Sequence, residues 1–236
     1  MKLSVGTSGY SYKEWLGYFY PERLPAKEML RFYASRLPAV EINNTFYRLP
    51  KESILASWGE QVPIEFRFVL KAAQTITHVK RLKDAGAEVE YLFRVAAALG
   101  PKLGAFLVQL PPNLRKDLGR LHNFLSLIPA NGSVAFEFRH SSWFDEEVFA
   151  CLRARNCALC MADTDESESP NLTSTATWGY VRLRRSSYNQ ADLLQWKERI
   201  ISQPWEHAYV FFKHEDQGIG PKLAAEFLAL VGTAMP

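Results

Sequence analysis

Short runs of β-branched and aromatic residues recur along this chain, and segments with helical spacing lie between most of them. Within the runs, polar residues often stand at alternate positions, as Glu41 and Asn43 do in AVEINN. Runs of this length and composition are typical of β-strands. The pattern predicts eight strands, at residues 3–9, 39–44, 65–71, 104–110, 133–139, 157–163, 179–184 and 207–213.

The segments between the strands carry apolar residues at the spacing of a helix face. They predict helices within residues 25–37, 90–100, 115–128, 145–155, 189–201 and 221–232. Asp145 and Asn189 are expected as N-caps, Pro221 in a first turn and Gly100 at a helix end. The segment 164–177 is too polar and too interrupted to form a good helix.

This alternation of strand and helix determines the expected fold. It predicts one domain over residues 1–236, an α/β fold in the form of a single (β/α)8 TIM-type barrel. The loop at 164–177 is expected to replace one outer helix. A doubly wound open sheet is the structural alternative.

Composition narrows the class of protein. The chain has 236 residues, of which 47% are hydrophobic and 22% charged, as in an ordinary soluble globular protein. It has no long apolar run and no signal-peptide pattern at its start, so neither a membrane partner nor export is expected. Three cysteines, an odd number, favour a reducing compartment and hence the cytoplasm. A net charge of +3 is too small to indicate a nucleic-acid partner.

Polar residues stand at the carboxyl ends of the predicted strands. In a barrel, alternate residues of a strand point inward, and the last inward residue faces the end where barrel enzymes carry their active sites. This rule selects Thr7, Glu41, Asn43, Lys71, Gln109, Glu137, Arg139, Asp163, Arg182, Arg184 and Lys213. The apolar residues Val40, Ile42, Phe136 and Phe138 have the opposite parity and are expected to pack against the helices.

The charges among these residues permit two interpretations. Glu41, Glu137 and Asp163 would form an ion-pair layer with Lys71, Arg139 and Arg182, or the same groups would form a functional site. Cations outnumber carboxylates in the set, which favours a ligand bearing a phosphate or carboxylate. Nearby cations also lower carboxylate pKa values, so Glu41 or Glu137 is better suited to act as a base than as an acid.

Six motifs occur together in a recognisable order: GTSGYSYKEWLGYFYPERLP, VEINNTFYRLP, FRFVLKAAQTITH, LVQLPPNLR, FEFRHSSWF and YVRLR. In this order they resemble the signature segments of the domain of unknown function 72 family, the YecE-like proteins. The resemblance extends from about Leu3 to the last predicted helix. It implies a TIM-type barrel, and the family carries a distant similarity to sugar isomerases that rests on fold.

The family pattern matches this chain at many candidate positions. The matched residues are Gly6, Ser8, Gly9, Trp15, Phe19 to Pro21, Glu41, Asn43, Phe46, Tyr47, Lys71, Thr77, His78, Gln109 to Pro112, Arg139, His140, Trp143 and Arg182. The chain departs from the pattern where Arg184 and Arg185 replace a His-Gly pair, and where Lys213 and His214 replace an asparagine pair. The departures make the site more basic and predict a ligand different from that of typical members.

The candidate site is assembled from these residues. Glu41, Glu137 and Lys71 are the candidate catalytic residues, with either carboxylate as the base. Substrate binding is assigned to Asn43, Tyr47, His78, Gln109, Arg139, His140, Trp143, Asp163 and Arg182. The hypothesis is an isomerase- or hydrolase-like barrel protein acting on a small anionic, sugar-like molecule. The alternatives are a phosphodiester-processing nucleic-acid enzyme and a non-catalytic binding protein. Replacing Glu41 by Gln is expected to abolish activity with little loss of stability.

Other features add alternatives to this site. No cofactor is expected and no metal site is assigned, although His78 and His140 beside the carboxylates leave a divalent metal as an alternative. Cys157 and Cys160 form a CxxC, but positions three apart on a strand point to opposite faces, so both are expected in the core. The aromatic residues of the loop 10–20 would either line the barrel mouth or cover the core.

Overall fold

Eight parallel strands close into a barrel in chain order. The structure is a computed structural model that describes residues 1–166, 170–214 and 216–232. The strands are β1 (Lys2–Ser8), β2 (Ala39–Ile42), β3 (Arg67–Lys71), β4 (Leu103–Gln109), β5 (Val134–Glu137), β6 (Ala158–Asp163), β7 (Trp178–Leu183) and β8 (His207–Phe212). All eight predicted strands are confirmed, and β8 pairs with β1 to close the sheet, so the open-sheet alternative is wrong.

Helices of the described part of the chain cover the outside of the barrel. They are α1 (Met29–Ala34), α2 (Glu52–Glu60), α3 (Gly86–Ala96), α4 (Leu118–Ser126), α5 (Glu146–Arg153), α6 (Gln190–Ile201) and α7 (Ile219–Val231). Asp145 and Asn189 are the N-caps of α5 and α6, as predicted, and Asn189 forms a capping box with Asp192. Helix α2 was not predicted, because its nine residues bury only Leu55 and Gly59 and its apolar face is short.

The connection between β6 and β7 differs from the others. Residues 164–166 and 170–177 contain no helix, which confirms the predicted loop there. Residues 167–169 of the predicted loop lie outside the described residues. The loop is anchored by Thr175, whose hydroxyl donates to the Cys157 carbonyl and accepts from the Leu159 amide, each at 2.8 Å. Thr175 thus fixes the end of the connection beside the amino-terminal start of β6.

The barrel has two apolar regions, one on each side of its wall. Inward-facing Val69, Leu107, Tyr180 and Phe211 belong to the interior cluster. Residues of the opposite parity pack under the helices, including Val40, Ile42, Phe136 and Phe138, as predicted. Because the interior cluster fills the lower part of the barrel, the polar inward residues lie above it, at the carboxyl ends of the strands.

No helix among the described residues is both long and apolar enough to cross a membrane.

Candidate functional site

A buried ion-pair cluster lies at the carboxyl end of the barrel. Arg182 on β7 donates from Nη2 to Glu41 Oε1 on β2 at 2.8 Å and from Nη1 to Glu137 Oε2 on β5 at 2.6 Å. The side chains of Arg182, Glu41 and Glu137 are 2%, 0% and 4% exposed. One guanidinium therefore joins strands from different parts of the barrel in a planar, charge-assisted arrangement.

Hydrogen bonds complete the coordination of both carboxylates. Ser8 Oγ donates to Glu41 Oε1 at 2.6 Å, and the Tyr180 hydroxyl donates to Glu41 Oε2 at 2.7 Å. Gln109 Nε2 donates to Glu137 Oε1 at 2.7 Å. Gln109 thus orients Glu137, although the sequence predicts that it binds the substrate.

The electrostatics of the cluster favour its charged form. Burial by itself would raise the pKa of Glu41, but the charge of Arg182 and the hydrogen bonds from Ser8 and Tyr180 outweigh burial and lower it. Burial opposes ionisation of Glu137 too, yet Arg182, Arg139 and Arg184 lower its pKa to about 2. Both carboxylates are therefore ionised at neutral pH, as predicted from the nearby cations.

Glu41 is poorly suited to act as a base. Its oxygens accept from Ser8, Tyr180 and Arg182, and the residue is fully buried. A proton acceptor must reach the substrate within hydrogen-bond distance. The geometry therefore places Glu41 in the support of the site rather than at its surface, and Arg182, 2% exposed, has the same position.

Other cationic side chains lie above the cluster. Arg139 Nε is 3.4 Å from Glu137 Oε1, and Arg184 Nη1 is 3.9 Å from the same oxygen. Both arginines line a cavity of about 630 Å³ together with Glu137, Cys160 and Phe144. The side chain of Arg139 is 37% exposed and that of Arg184 19%, so both reach this open space.

Lys71 lies at the carboxyl end of β3, as the sequence predicts. Its Nζ lies 4.3 Å from the centre of the Phe46 ring, a cation–π contact. Burial and the charge of Arg182 lower the pKa of Lys71 to about 8, although Glu41 and Glu137 act in the opposite direction. Among the described residues, no carboxylate lies within 4 Å of this ammonium, since Lys71 takes part in no ion pair there.

His78 lies close to the same cations. It is carried by a short π-helix (Thr75–Val79), a conformation often found at functional sites, and its ring meets Phe46 edge-on at 4.9 Å. Burial, Lys71 and Arg139 lower the pKa of His78, so the ring is neutral at pH 7. Its Nδ1 lies 2.8 Å from the hydroxyl of Thr77, which leaves Nε2 for other contacts.

Asn43 and Tyr47 flank this side of the mouth. Asn43 follows β2, and its Oδ1 is buried without a hydrogen-bond partner among the described residues. Tyr47 is 74% exposed and contacts Phe46 edge-on at 5.1 Å. Tyr47 also borders a second depression beside Tyr91 and Leu92 of the α3 region, on the outer side of the mouth.

Two residues selected by the inward rule face outward instead. Asp163 Oδ2 accepts from the Tyr188 hydroxyl at 2.9 Å and from Trp196 Nε1 of α6 at 3.2 Å, and it pairs with Arg185. Thr7 contacts the hydroxyl of Tyr33, a residue of α1. The predicted orientation of both is wrong, because Cys160 on β6 and Ser8 on β1 occupy the inward positions of their strands.

Trp143 lies in the core, and His140 caps the turn that leads to it. Trp143 is fully buried, stacks on Phe138 at 4.7 Å and donates from Nε1 to the Leu114 carbonyl. Phe138 belongs to the layer beneath the helices, so Trp143 is a core residue and does not line the barrel mouth. His140 caps the turn Ser141–Trp143 by accepting from the Ser142 amide.

The loop after β1 likewise covers the core. Trp15 and Tyr20 are buried and pack edge-on against Phe19, while Tyr18 is exposed. Of the two interpretations left open by the sequence, the core cover applies to Trp15 and Tyr20.

Sequence reasoning missed Ser8 and Tyr180 as partners of Glu41. A signal for both was present: Tyr180 stands two residues before Arg182, and Ser8 shares its parity with Ser4 and Gly6. Leu3 and Val5 both pack under the helices. If the outward face of β1 is assigned from these two residues, Ser8 lies on the inward face.

These features coincide with a family match that covers almost the whole chain. The family described as protein of unknown function DUF72 matches residues 4–236. The chain belongs to the DUF72 family. Among its curated relatives, YecE of Escherichia coli is 32% identical over 144 residues, which are 60% of this chain and 50% of YecE. The chain thus matches about half the length of YecE.

Further DUF72 relatives extend the comparison. YunF of Bacillus subtilis is 24% identical over 90% of this chain and 89% of YunF. The crystal structure of a DUF72 protein from Thermotoga maritima has a TM-score of 0.86 and 25% identity, covering 98% of this chain and all of that one. A DUF72 structure from Enterococcus faecalis, at 20% identity, has a TM-score of 0.81 over 99% of this chain and 97% of its own. The solved DUF72 structures share the barrel fold found here.

The departures from the DUF72 pattern occupy different places. Arg184 reaches the mouth cavity, whereas Arg185 forms an ion pair with Asp163 on the outer side of the barrel wall. His214 contacts the Arg185 carbonyl through Nε2. Arg182, Arg184 and Arg185 therefore do not form one basic cluster of the kind that a phosphodiester-processing enzyme would use to bind phosphates.

The structure bears on the alternative of a divalent metal and on the positions of the two CxxC cysteines. In the described ranges of the chain, no group of three or more His, Cys, Asp or Glu side chains is arranged to hold a metal ion. Cys157 lies in the outer core and Cys160 in the barrel interior, on opposite faces of β6 as predicted. Burial raises the pKa of Cys157 to about 12 and that of Cys160 well above its ordinary value, so neither is a reactive thiolate.

Proposed function

We propose that the carboxyl-end mouth of the barrel binds a small anionic molecule bearing a phosphate or a carboxylate. The charge balance of the mouth is the observation that carries this proposal. At the strand ends, the four cations Arg182, Arg139, Arg184 and Lys71 face the two carboxylates Glu41 and Glu137, which is a local surplus of two positive charges; Asp165 and Glu166 offset it only on the β6 side of the cavity. A concave site with such a surplus attracts anions, and arginines suit the oxygens of phosphate and carboxylate.

The distribution of charge within the mouth indicates where the anion binds. Asp165 and Glu166 line the β6 side of the cavity, so that side repels an anion. Arg139 raises the positive potential at Lys71, at Arg184 and at His78, since its charge lowers the pKa of each. These charges support binding of the proposed anion against Arg139 and Arg184. Arg182, assigned to binding from the sequence, holds the two carboxylates below.

Buried polar atoms support a ligand that also carries hydroxyl groups. In the described chain, Asn43 Oδ1 and Arg184 Nε are buried and lack hydrogen-bond partners. The first is an acceptor and the second a donor, and unpaired buried groups of either kind are costly. A sugar-like anion supplies hydroxyl donors and anionic acceptors together, which is consistent with both atoms.

If the site is catalytic, the structure favours a different division of roles from the one expected. Glu137 borders the cavity, but its low pKa makes it a weak base. Lys71 has a pKa close to neutrality and no paired carboxylate within the described residues, so it is the better group for proton transfer or nucleophilic attack. Isomerase- or hydrolase-like chemistry would then centre on Lys71 rather than on Glu41.

Titration calorimetry with inorganic phosphate, gluconate and glucose tests the proposal. Wild-type protein is expected to bind the two anions and not the neutral sugar. Arg139→Gln should weaken binding about tenfold or more, because a hydrogen bond to a charged group contributes about 1.5–3 kcal/mol. Arg153→Gln is the matched control, since Arg153 pairs with Glu146 on the outer helix α5.

Three results would overturn the proposal: no binding of either anion, equal binding of glucose and gluconate, or the same effect from both arginine variants. A single-stranded oligonucleotide, tested at low and high salt, covers the phosphodiester alternative. Tight binding that falls steeply with salt, together with weak phosphate binding, would favour a nucleic-acid partner. Release of a bound anion unchanged would favour a binding protein over an enzyme.

A further inference from the structure

Lys71 is half-buried, and its ammonium lies beside an aromatic ring and close to other cations. Its Nζ lies over the Phe46 ring, and in the described part of the chain no carboxylate lies within 4 Å of it. Lys116, in contrast, contacts Asp145 at 3.0 Å and Glu147 at 3.1 Å. A lysine that serves only to hold structure usually has such partners, whereas a desolvated lysine near other cations is activated as a nucleophile.

The groups around Lys71 act together to favour the neutral amine. Arg182 and Arg139 both destabilise its ammonium form, and burial adds to their effect. With a pKa of about 8, Lys71 carries at pH 7.5 roughly two hundred times the neutral fraction of an ordinary lysine. Burial and the charges of Lys71 and Arg139 also lower the pKa of His78, which lies beside the same cations.

The position of Lys71 relative to the anion-binding arginines completes the arrangement. Lys71 ends β3, while Arg139 follows β5 and Arg184 follows β7, so the three approach the mouth from different sides of the barrel. Lys71 does not line the cavity beside Arg139 and Arg184, but it lies close enough to Arg139 for that charge to lower its pKa, so the carbon skeleton of an anion held by the two arginines would extend from the cavity toward β3. A carbonyl group in that skeleton would then lie toward the Lys71 amine.

We propose that Lys71 forms an imine with a small aldehyde or ketone that carries a phosphate or carboxylate, the anionic group being held by Arg139 and Arg184. This inference rests on the proposed anion site and names the substrate class and the reacting atom. It makes Lys71 a catalytic residue, because its Nζ bonds to the substrate, and it leaves Glu41 and Arg182 in supporting positions.

The reaction balances without an oxidant or reductant. The lone pair of neutral Nζ forms a C–N bond to the carbonyl carbon, and the carbonyl oxygen takes up a proton, which gives a carbinolamine. Nζ loses one of its two original protons, the C–O bond breaks after a second protonation of the oxygen, and water leaves. The sum is amine plus carbonyl plus one proton, giving a protonated imine and water. The positive charge that remains on nitrogen is stabilised by the Phe46 ring.

Borohydride trapping with matched probes tests this proposal. The full chain is incubated with dihydroxyacetone phosphate or with neutral dihydroxyacetone, and in a second pair with pyruvate or acetone. Borohydride then reduces any imine to a stable secondary amine, and peptide mass spectrometry locates the adduct. The expected result is labelling of Lys71 by an anionic probe at least about tenfold above labelling by its neutral counterpart and above labelling of Lys116.

Variants separate the roles of charge and nucleophile. Lys71→Arg keeps a positive charge but removes the amine, so the adduct should disappear while calorimetric binding of phosphate persists. Lys116→Arg is the matched control and should leave labelling of Lys71 unchanged. Excess phosphate should compete with the anionic probes and reduce labelling.

The outcomes distinguish this inference from the proposed anion site. Phosphate binding without an adduct at Lys71 overturns the imine and leaves the anion site intact. An adduct at Lys71 that forms equally with neutral and anionic probes, and is insensitive to phosphate, overturns the anion site. Equal labelling of Lys71 and Lys116 shows ordinary surface reactivity and overturns the imine as well.

Discussion

Arg182 Nη2 lies 2.8 Å from Glu41 Oε1, although 141 residues separate the two along the chain. The contact joins β7 to β2, which are not neighbours in the barrel, and both side chains are almost completely buried. Such a pair is costly to break, because removing one partner leaves an uncompensated charge in the interior. The pair lies beneath the more exposed cations of the mouth.

Replacing Glu41 by Gln should therefore reduce stability as well as any activity. Gln retains an acceptor for Ser8 or Tyr180 but leaves Arg182 with a single carboxylate, so we expect a loss of about 3–5 kcal/mol in the free energy of unfolding. Urea denaturation measures it, with Glu147→Gln at an exposed ion pair as the control, for which no measurable change is expected. A Glu41→Gln protein as stable as wild type would show that the buried pair contributes little.

The low pKa of Glu137 predicts a specific response to acid. Because the folded pKa is about 2 and the ordinary value 4.5, its ionisation stabilises the fold fully above pH 4.5. That contribution, roughly 3 kcal/mol, is lost as the pH falls from 4.5 toward 2. Wild type and Glu137→Gln should thus differ in unfolding free energy at pH 6, and the difference should shrink below pH 4.5 and vanish only as the pH approaches 2. Parallel curves across this range would contradict the assignment.

Lys71 should show the opposite relation between charge and stability. Its folded pKa of about 8 lies below the ordinary 10.5, so the unfolded chain holds the proton more tightly and the charged lysine destabilises the fold below pH 8. Lys71→Met should unfold at a higher temperature than wild type at pH 7. The gain should remain below roughly 3 kcal/mol, because solvent screens the half-buried ammonium.

That gain should also shrink as the pH rises from 8 to about 10.5, where wild-type Lys71 loses its proton in both states. Thermal unfolding of both proteins over this pH range measures the difference. A variant less stable than wild type at pH 7 would show that the contacts of Lys71 stabilise the fold by more than burial of its charge destabilises it.

Asp163 provides a test of the outward orientation found for the end of β6. Asp163→Asn should lower the free energy of unfolding by about 1–3 kcal/mol, because it weakens the contacts with Tyr188, Trp196 and Arg185. Phosphate affinity, measured by calorimetry, should stay the same. A stable variant with weakened phosphate binding would show that Asp163 belongs to the ligand site.

Much of the barrel could be predicted from the pattern of residues. The runs around Glu41, Glu137 and Arg182 alternate clearly between apolar and polar positions, and their inward faces were assigned correctly. The run CALCMAD of β6 contains small or apolar residues at both parities, so its pattern is compatible with either phase. Strands of a parallel barrel are buried on both faces, which weakens the alternation on which such assignments depend.

The sequence by itself determined the eight strands, the helix caps at Asp145 and Asn189 and a mouth rich in cations, because these depend on local periodicity, capping chemistry and composition. Only the tertiary structure decided which charges pair. Arg182 pairs with Glu41 and Glu137, Arg185 pairs with Asp163, and Lys71 lies over Phe46. The physical reason is that pairing depends on closure of the barrel, which brings distant strand ends within bonding distance and sets the burial of each group.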